Sequence, residues 1–424
     1  MRTLDWSLLT PSQRRDALAR PARRRDGSVS AVVRRIFDDV ERDGAEAVAR
    51  WALELDGHGP EPLQLSARVA EAARAQLAAE DLAAMERAIA NVRAYHERTK
   101  PKCVEVEVQP GVRCRREWRA IASCGLYIPA GSAPLFSTLI MLAEPARVAG
   151  VPARMVVTPP APHPMMIAAA AACGVDALWL IGGAQAIAAL TFGAGPAKAE
   201  KIFGPGNAYV AEAKRYAASL PGGPQIDVPA GPSELMVIAD DDADAELIAA
   251  DLLSQAEHDA DAQVLLTATS PGLLARVGRS LEAQLETLPR AAIARAALTQ
   301  ARLILVRDLA EACDVANAYA PEHLALHLED PTALLPRIDN AGAVFVGRWS
   351  AETFGDYICG PSHVLPTDGA ARSWSGVNVA SFMKSFSVQS LSADGARALA
   401  PAAARLARLE GLEAHARAAD LRAR

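Results

Sequence analysis

Between residues 119 and 240 one arrangement keeps returning: a short aliphatic run, a turn rich in glycine or proline, then an apolar stretch of helical character. Met155-Val156-Val157-Thr158 leads into a proline-rich loop, Leu178-Trp179-Leu180-Ile181 into Gly182-Gly183, and Lys201-Ile202-Phe203 into Gly204-Pro205-Gly206-Asn207. Runs this short, bounded by turn residues, suit buried strands and are too brief for helices. Strands that alternate with helices are joined by crossovers, so they run parallel and are covered on both faces. A second series, at 235–239, 263–267, 302–306 and 343–346, follows the same rule. The expected fold class is therefore α/β, in two layers with mainly parallel sheets.

A chain of 424 residues also exceeds what one hydrophobic core usually serves. Residues 30–98 read as a helical lead-in, with Val32, Val33, Ile36, Phe37 and Val40 at helical spacing. After Lys100-Pro101 the period becomes two, and Val104, Val106 and Val108 predict a half-exposed strand. From about Ser381 the strand signal fades, and an Ala/Arg/Leu-rich helix is expected to run to Arg424. The apolar stretch 165–195 carries one charge, Asp176, but Gly174 and Gly182-Gly183 divide it into pieces too short to cross a bilayer. A net charge of −6 offers no pull towards nucleic acid or a membrane surface, which leaves small molecules as the expected partners. Six scattered cysteines without a CxxC pair fit a reducing, cytoplasmic setting, and Cys124, beside a glycine turn, is the one worth watching. Arg14, Arg15 and Arg23 to Arg25 are interspersed with Asp5, Asp16 and Asp26, as in a solvated N-terminal arm rather than an organellar address.

Glycine turns at strand ends leave backbone N–H groups free for anions. Gly204-Pro205-Gly206-Asn207-Ala208-Tyr209 begins like a dinucleotide fingerprint but has Tyr209 at the third glycine position, so a structural turn and a pyrophosphate site fit it equally. Of eight histidines, His258, His323, His363 and His415 have polar company, whereas His58, His96, His163 and His327 read as structural. In Ser254-Gln255-Ala256-Glu257-His258 a helical spacing puts an amide oxygen and an imidazole on one face, where they can share a cation. A polar, solvent-facing helix surface is the commoner meaning of that pair alone. Asp356 and His363 bracket a Gly/Pro-bounded loop able to fold both to one point, or to be an ordinary surface loop. His415 could equally be a helix-end residue. Pro321-Glu322-His323 ends a helix and opens an alternating strand, so acid and imidazole suit proton transfer near a sheet edge or cleft, with a plain helix terminus as the alternative.

Taken together, Gly125-Leu126-Tyr127-Ile128-Pro129, the run from Gly182 to Leu190, Gly204-Pro205-Gly206-Asn207, the run from Ile226 to Glu234, Leu253-Ser254-Gln255-Ala256-Glu257-His258 and Ala320-Pro321-Glu322-His323-Leu324 resemble the histidinol dehydrogenase family. Gly355-Asp356-Tyr357, His363-Val364-Leu365-Pro366-Thr367 and Glu410-Gly411-Leu412-Glu413-Ala414-His415 extend the resemblance to the C-terminus. Ala130, where many relatives have glycine, and Pro361-Ser362 before His363 depart from it mildly. The resemblance implies two Rossmann-like domains with small N- and C-terminal helical appendages: an arm at 1–24, a discontinuous first domain at 25–126 and 235–378, a second at 127–234 that meets NAD, and a dimerisation segment at 379–424. It implies one zinc ion per subunit on Gln255, His258, Asp356 and His415, with His415 reaching into the partner's site of a homodimer. Glu322 and His323 would accept protons, Ser233, His363 and Glu410 would join the substrate contacts, and Tyr127, Gln185 and Asn207 would meet NAD.

The implied reaction is the four-electron oxidation of L-histidinol to L-histidine, the last step of histidine biosynthesis, through a bound aldehyde and with two NAD used in turn. His323 is the expected base at the alcohol, Glu322 the base that activates water, and zinc mainly a clamp on the imidazole and amine of histidinol, which also counts Gln255, His258, Asp356 and His415 among the substrate-binding residues. A zinc hydrolase, a non-catalytic ligand-binding protein and a dehydrogenase of another small alcohol are the alternatives, separated by whether NAD is reduced and on which substrate.

Overall fold

The computed structural model of the protein describes residues 1–20, 27–130, 134–228 and 231–424. The Arg23 to Arg25 run and Pro229-Ala230 lie outside the described residues.

Along the chain, β1 (Arg2–Asp5) and β2 (Pro62–Gln64) precede a hairpin of β3 (Val104–Gln109) and β4 (Val112–Ala120). Then come β5 (Ser123–Tyr127), β6 (Ala153–Thr158), β7 (Ala177–Leu180), β8 (Lys201–Phe203) and β9 (Gln225–Ile226). The second series is β10 (Glu234–Ala239), β11 (Gln263–Ala268), β12 (Arg302–Leu305), β13 (His323–His327) and β14 (Ala343–Val346), and β15 (Met383–Leu391) follows. One sheet has the order β2-β7-β6-β5-β8-β9, parallel except for β2, and another is the wholly parallel β1-β12-β11-β10-β13-β14. In each, the series starts on a central strand, steps outward on one side and then crosses to the other. The crossing leaves switch points between β5 and β8 and between β10 and β13, where a ligand crevice forms in open α/β sheets.

The α/β class with mainly parallel sheets holds. Strands β3 and β4 form a separate sheet with β15, whereas β2 and β5 lie in the same sheet as β6 to β9. The Gly27–Asp43 and Ala45–Asp56 helices bury Val33, Phe37, Val40 and Trp51 against Ile187, Leu190 and Val210 of that same layer. Phe37 sits edge-on to Phe192 and Tyr216, at 5.9 and 5.1 Å between ring centroids. The N-terminal arm is not solvated through residue 20. Main-chain pairing makes β1 an edge strand of the second sheet, and Trp6 is buried beside Met236 and Leu265.

The C-terminal part also differs from expectation. Strand β15 pairs with β4 along its whole length, from Met383 opposite Ala120 to Leu391 opposite Val112. Most of its residues are exposed, so no buried face marks the period-two pattern in the sequence. Val104, Val106 and Val108 of the same sheet are 47, 52 and 61% exposed, turning outward the face expected to be covered. The terminal helix is two helices, Ala393–Leu409 and Glu413–Asp420, broken at Gly411, whose φ of +76° suits glycine. No helix among the described residues is long and apolar enough to cross a membrane.

On the helix Ala79–Thr99, His96 is fully buried with neither ring nitrogen hydrogen-bonded, and burial lowers its pKa from 6.5 to about 4. The unfolded chain therefore takes the proton first, so the contribution is present above pH 6.5 and is lost as the pH falls towards 4. Replacing His96 with Phe is expected to flatten this acid limb, measured as urea-unfolding stability at pH 7 and pH 4.5. An unchanged pH dependence would assign the acid loss to other groups.

Candidate active site

A cleft of about 200 Å³ opens between the two parallel layers, lined on one side by Thr138, Gly204, Lys214 and Asp227 and on the other by Ser233, Gln255, His258, Glu322, His323, Asp356 and His363. The acid–imidazole pair reaches it through a sharp reversal. The helix Leu309–Tyr319 ends on Ala320, which takes the left-handed conformation at φ +55°, and Pro321 carries the chain into β13. Glu322 and His323 thus stand at the amino end of β13, beside the amino end of β10, and β13 is interior to its sheet rather than at an edge.

Two cross-strand bonds hold the pair. Glu234 N donates to Glu322 Oε2 at 2.9 Å, and Glu322 N donates to Glu234 Oε2 at 3.3 Å. His323 Nδ1 lies 2.9 Å from the Glu234 carbonyl, which assigns its proton to that nitrogen. Nε2, buried and without a hydrogen-bond partner, is 3.7 Å from Asp356 Oδ1. Burial alone would lower the His323 pKa, but Glu322, Asp356 and Glu352 outweigh it and hold it well above the ordinary value.

Gln255 lies in the last turn of the helix Ala245–Ala256, and His258 N bonds back to the Gln255 carbonyl at 3.3 Å. The amide nitrogen donates to Glu352 Oε1 at 2.9 Å and the oxygen accepts from Glu234 N at 3.3 Å. The opposite orientation would set the nitrogen 3.4 Å from His323 Nδ1, donor against donor. His258 Nε2 is 3.9 Å from Asp356 Oδ2, and ligand atoms of His258, Glu352 and Asp356 all lie within 4.8 Å of one another. The His258 imidazole and the Glu352 and Asp356 carboxylates in this arrangement suit zinc, so the donor set fits the implied metal, and the Gln255 oxygen would join it with the amide turned over from Glu234 N.

Glu352 was not singled out from sequence, yet it is buried in this cluster and accepts from Ser254 Oγ at 2.8 Å. Its signal was there: Glu352 and Asp356 are four residues apart on the helix Glu352–Tyr357, hence on one face. Burial, then the Asp356 charge, raises the Glu352 pKa to about 8. Burial would raise Asp356 as well, but His323, His363 and the Glu352 hydrogen bond bring it down to about 2. Neighbouring carboxyls thus divide into one that holds a proton and one that is ionised. His363 Nδ1 bonds the Asp356 carbonyl at 2.9 Å and its Nε2 meets Thr138 Oγ1 at 3.1 Å, while burial lowers its pKa.

Glu410 and His415 are not brought to this cleft; both are exposed on the C-terminal segment, whose two helices pack on each other. An adjoining pocket of about 610 Å³, lined in part by Trp349 and Phe354, opens onto His323, Asp356 and His363. Tyr127, Gln185 and Asn207 lie at the carboxyl ends of β5, β7 and β8. The Tyr127 hydroxyl accepts from Gly183 N at 3.2 Å, and burial raises its pKa to about 12. Gln185 Nε2 donates to Asp56 Oδ2 at 3.1 Å, whereas its buried Oε1 has no partner. Asn207 caps the helix Ala208–Ser219 through bonds from Tyr209 N and Val210 N. Gly204, at φ +116°, packs so tightly on the Tyr127 carbonyl that a side chain would collide with it. A buried Lys214–Asp227 pair, also not singled out from sequence, grips both ends of the Gly204 peptide unit: Lys214 Nζ donates to its carbonyl at 2.8 Å and its N–H donates to Asp227 at 2.7 Å. Cys124 is buried, and burial raises its pKa to about 12, which makes it inert.

Fold and site define a class: a two-layer α/β protein with an acid–imidazole pair beside a cluster competent for a divalent cation. The histidinol dehydrogenase family model matches residues 19–423. The chain is 43% identical over 423 residues to the histidinol dehydrogenase of Photobacterium profundum, covering 100% of this chain and 96% of the relative. It is 45% identical over 420 residues to that of Shigella dysenteriae serotype 1, covering 99% and 97%. The crystal structure of histidinol dehydrogenase from Elizabethkingia anophelis superposes with a TM-score of 0.95 at 38% identity, covering 100% of this chain and 98% of the other. The chain belongs to the histidinol dehydrogenase family, oxidoreductases that catalyse the final step of histidine biosynthesis.

Proposed function

We propose that this chain is a zinc-containing, NAD-dependent enzyme that oxidises L-histidinol to L-histidine through a bound aldehyde, as a cytoplasmic homodimer. The observation that carries the reading is His323, whose Nδ1 is tied to the Glu234 carbonyl and whose unpartnered Nε2 is left to face the cleft. With Nδ1 keeping its proton on the Glu234 carbonyl, Nε2 takes the alcohol proton as hydride leaves the adjacent carbon, in the neutral form of the ring, which the Glu322 and Asp356 charges confine to higher pH. Glu322, with Oε2 fixed by Glu234 N, has its other oxygen left to take a proton from water that adds to the aldehyde. His363 and Ser233 line the same cleft and orient the substrate.

Gln255, His258 and Asp356 would hold zinc, with His415 of the partner subunit completing the set. Zinc, when bound, supplies a Lewis-acid clamp for the imidazole and amine of histidinol. NAD, which accepts the hydride twice per substrate, would be held by Tyr127, Gln185 and Asn207. The β5/β8 switch point and the orphaned Gln185 oxygen support that placement. Exposure of Glu410 and His415, away from their own cleft, supports a site shared between subunits, as do the exposed Val104, Val106, Val108, Leu406 and Leu409. Six free cysteines suit a reducing compartment.

The test is incubation of zinc-loaded protein with L-histidinol and NAD, with NADH counted against substrate consumed. A ratio of about two is expected for two successive two-electron steps. A ratio near one would reduce the reaction to an alcohol dehydrogenation, and no NADH at all would remove the reading.

A further inference from the structure

Glu234 is almost fully buried at the amino end of β10, its side chain 2% exposed, and it makes three of the contacts that shape the acid–imidazole pair: both cross-strand bonds to Glu322 and the carbonyl bond to His323. A buried carboxylate is held in place only when its charge is matched. The match comes from the N-terminal segment. Arg20 donates to Glu234 from two nitrogens, at 2.5 and 2.8 Å, the forked geometry that fixes a carboxylate plane. The same guanidinium donates to the carbonyls of Tyr319 and Ala320 at 3.0 and 3.3 Å and lies 4.1 Å over the Tyr319 ring. These two residues form the reversal that delivers Glu322 and His323.

Arg20 is itself held. Gln263 Nε2 donates to the Ala19 carbonyl at 3.2 Å, while its Oε1 accepts from the Tyr319 hydroxyl at 2.7 Å. The backbone N–H of Gln263 donates to the Ser233 carbonyl at 3.0 Å, next to Glu234. We infer that Arg20 is a positioning residue for the reaction: from the N-terminal segment it locks Glu234 and the Tyr319-Ala320 reversal, and through them sets the direction of the Glu322 carboxylate and the His323 ring. This rests on the proposed function. A stability role alone would make Arg20 matter to folding and leave turnover of the folded fraction unchanged.

The test compares full-length, zinc-loaded wild type, Arg20→Ala and Arg20→Lys for kcat and KM with L-histidinol, each normalised to folded protein and to zinc content. Loss of orientation with the binding groups intact is expected to lower kcat by about 10- to 100-fold in Arg20→Ala, with KM and zinc content within about twofold. Arg20→Lys, which keeps the charge without the fork, is expected to fall between. Wild-type kcat per folded molecule in Arg20→Ala, or a loss matched in both variants by lost zinc, would overturn the inference alone. A wild type that forms no NADH would remove the functional reading and this inference with it.

Discussion

Glu322→Gln is expected to leave alcohol oxidation within about threefold of wild type and to slow aldehyde oxidation by about a hundredfold or more, the range for loss of a general base. Glutamine keeps the length of the side chain and can still accept from Glu234 N through its amide oxygen, so the 2.9 Å bond that directs residue 322 survives. What disappears is an oxygen able to take a proton. In the proposed reaction the first hydride needs a base at the alcohol, and His323 Nε2 would serve there with its own tether to the Glu234 carbonyl intact. The second needs a hydrated aldehyde, and water must lose a proton to add. Separate rates for L-histidinol and for histidinaldehyde, followed as NADH, check this division. Equal slowing of both half-reactions would mean that Glu322 acts on His323 rather than on water.

How much of this was legible in the sequence depends on which physical signal each feature carries. Strands β6, β7 and β8 were legible because a buried parallel strand is a short aliphatic run that ends at a turn. The sheet to which the lead-in helices belong was not, because the spacing of Val33, Phe37 and Val40 defines an apolar face without naming its partner. That partner, the layer of Phe192 and Tyr216, lies more than a hundred residues downstream. Strand β15 was missed because both its faces are largely exposed. At the site, Gln255 and His258 could be paired by helical spacing, and the long motifs joined them to Asp356. Glu352 also shares a helix face with Asp356, four residues on, but an acid in the first turn of a helix ordinarily serves the dipole at the surface, and its burial shows only in three dimensions. The acid–imidazole pair stands at amino ends of strands, where the general rule for open sheets does not look, because the Ala320 reversal and the two Glu234 bonds set it there. Glu410 and His415 were readable as motif residues, yet one chain does not bring them to its own cleft.

The two acids of the cation cluster have different freedom, and this separates their expected roles. Both Glu352 oxygens are engaged, one by Ser254 Oγ at 2.8 Å and the other by the Gln255 amide at 2.9 Å. Asp356 turns one oxygen towards His323 and the other towards His258, at 3.7 and 3.9 Å, and the hydrogen bond it takes from Glu352 is one that a cation would replace. Asp356→Ala is therefore expected to weaken zinc binding by more than about a hundredfold, at or beyond the upper end of what loss of a supporting contact costs. Glu352→Gln keeps an acceptor for Ser254 and should cost about tenfold or less, acting through the Gln255 amide it holds. Zinc affinity of each purified variant, by competition with a chelator of known affinity, measures this without recourse to turnover. If Glu352→Gln lost as much affinity as Asp356→Ala, Glu352 would be the ligand and the assignment of Asp356 alone would fail. If Asp356→Ala bound zinc as wild type does, the His258, Glu352 and Asp356 cluster would not be the metal site at all.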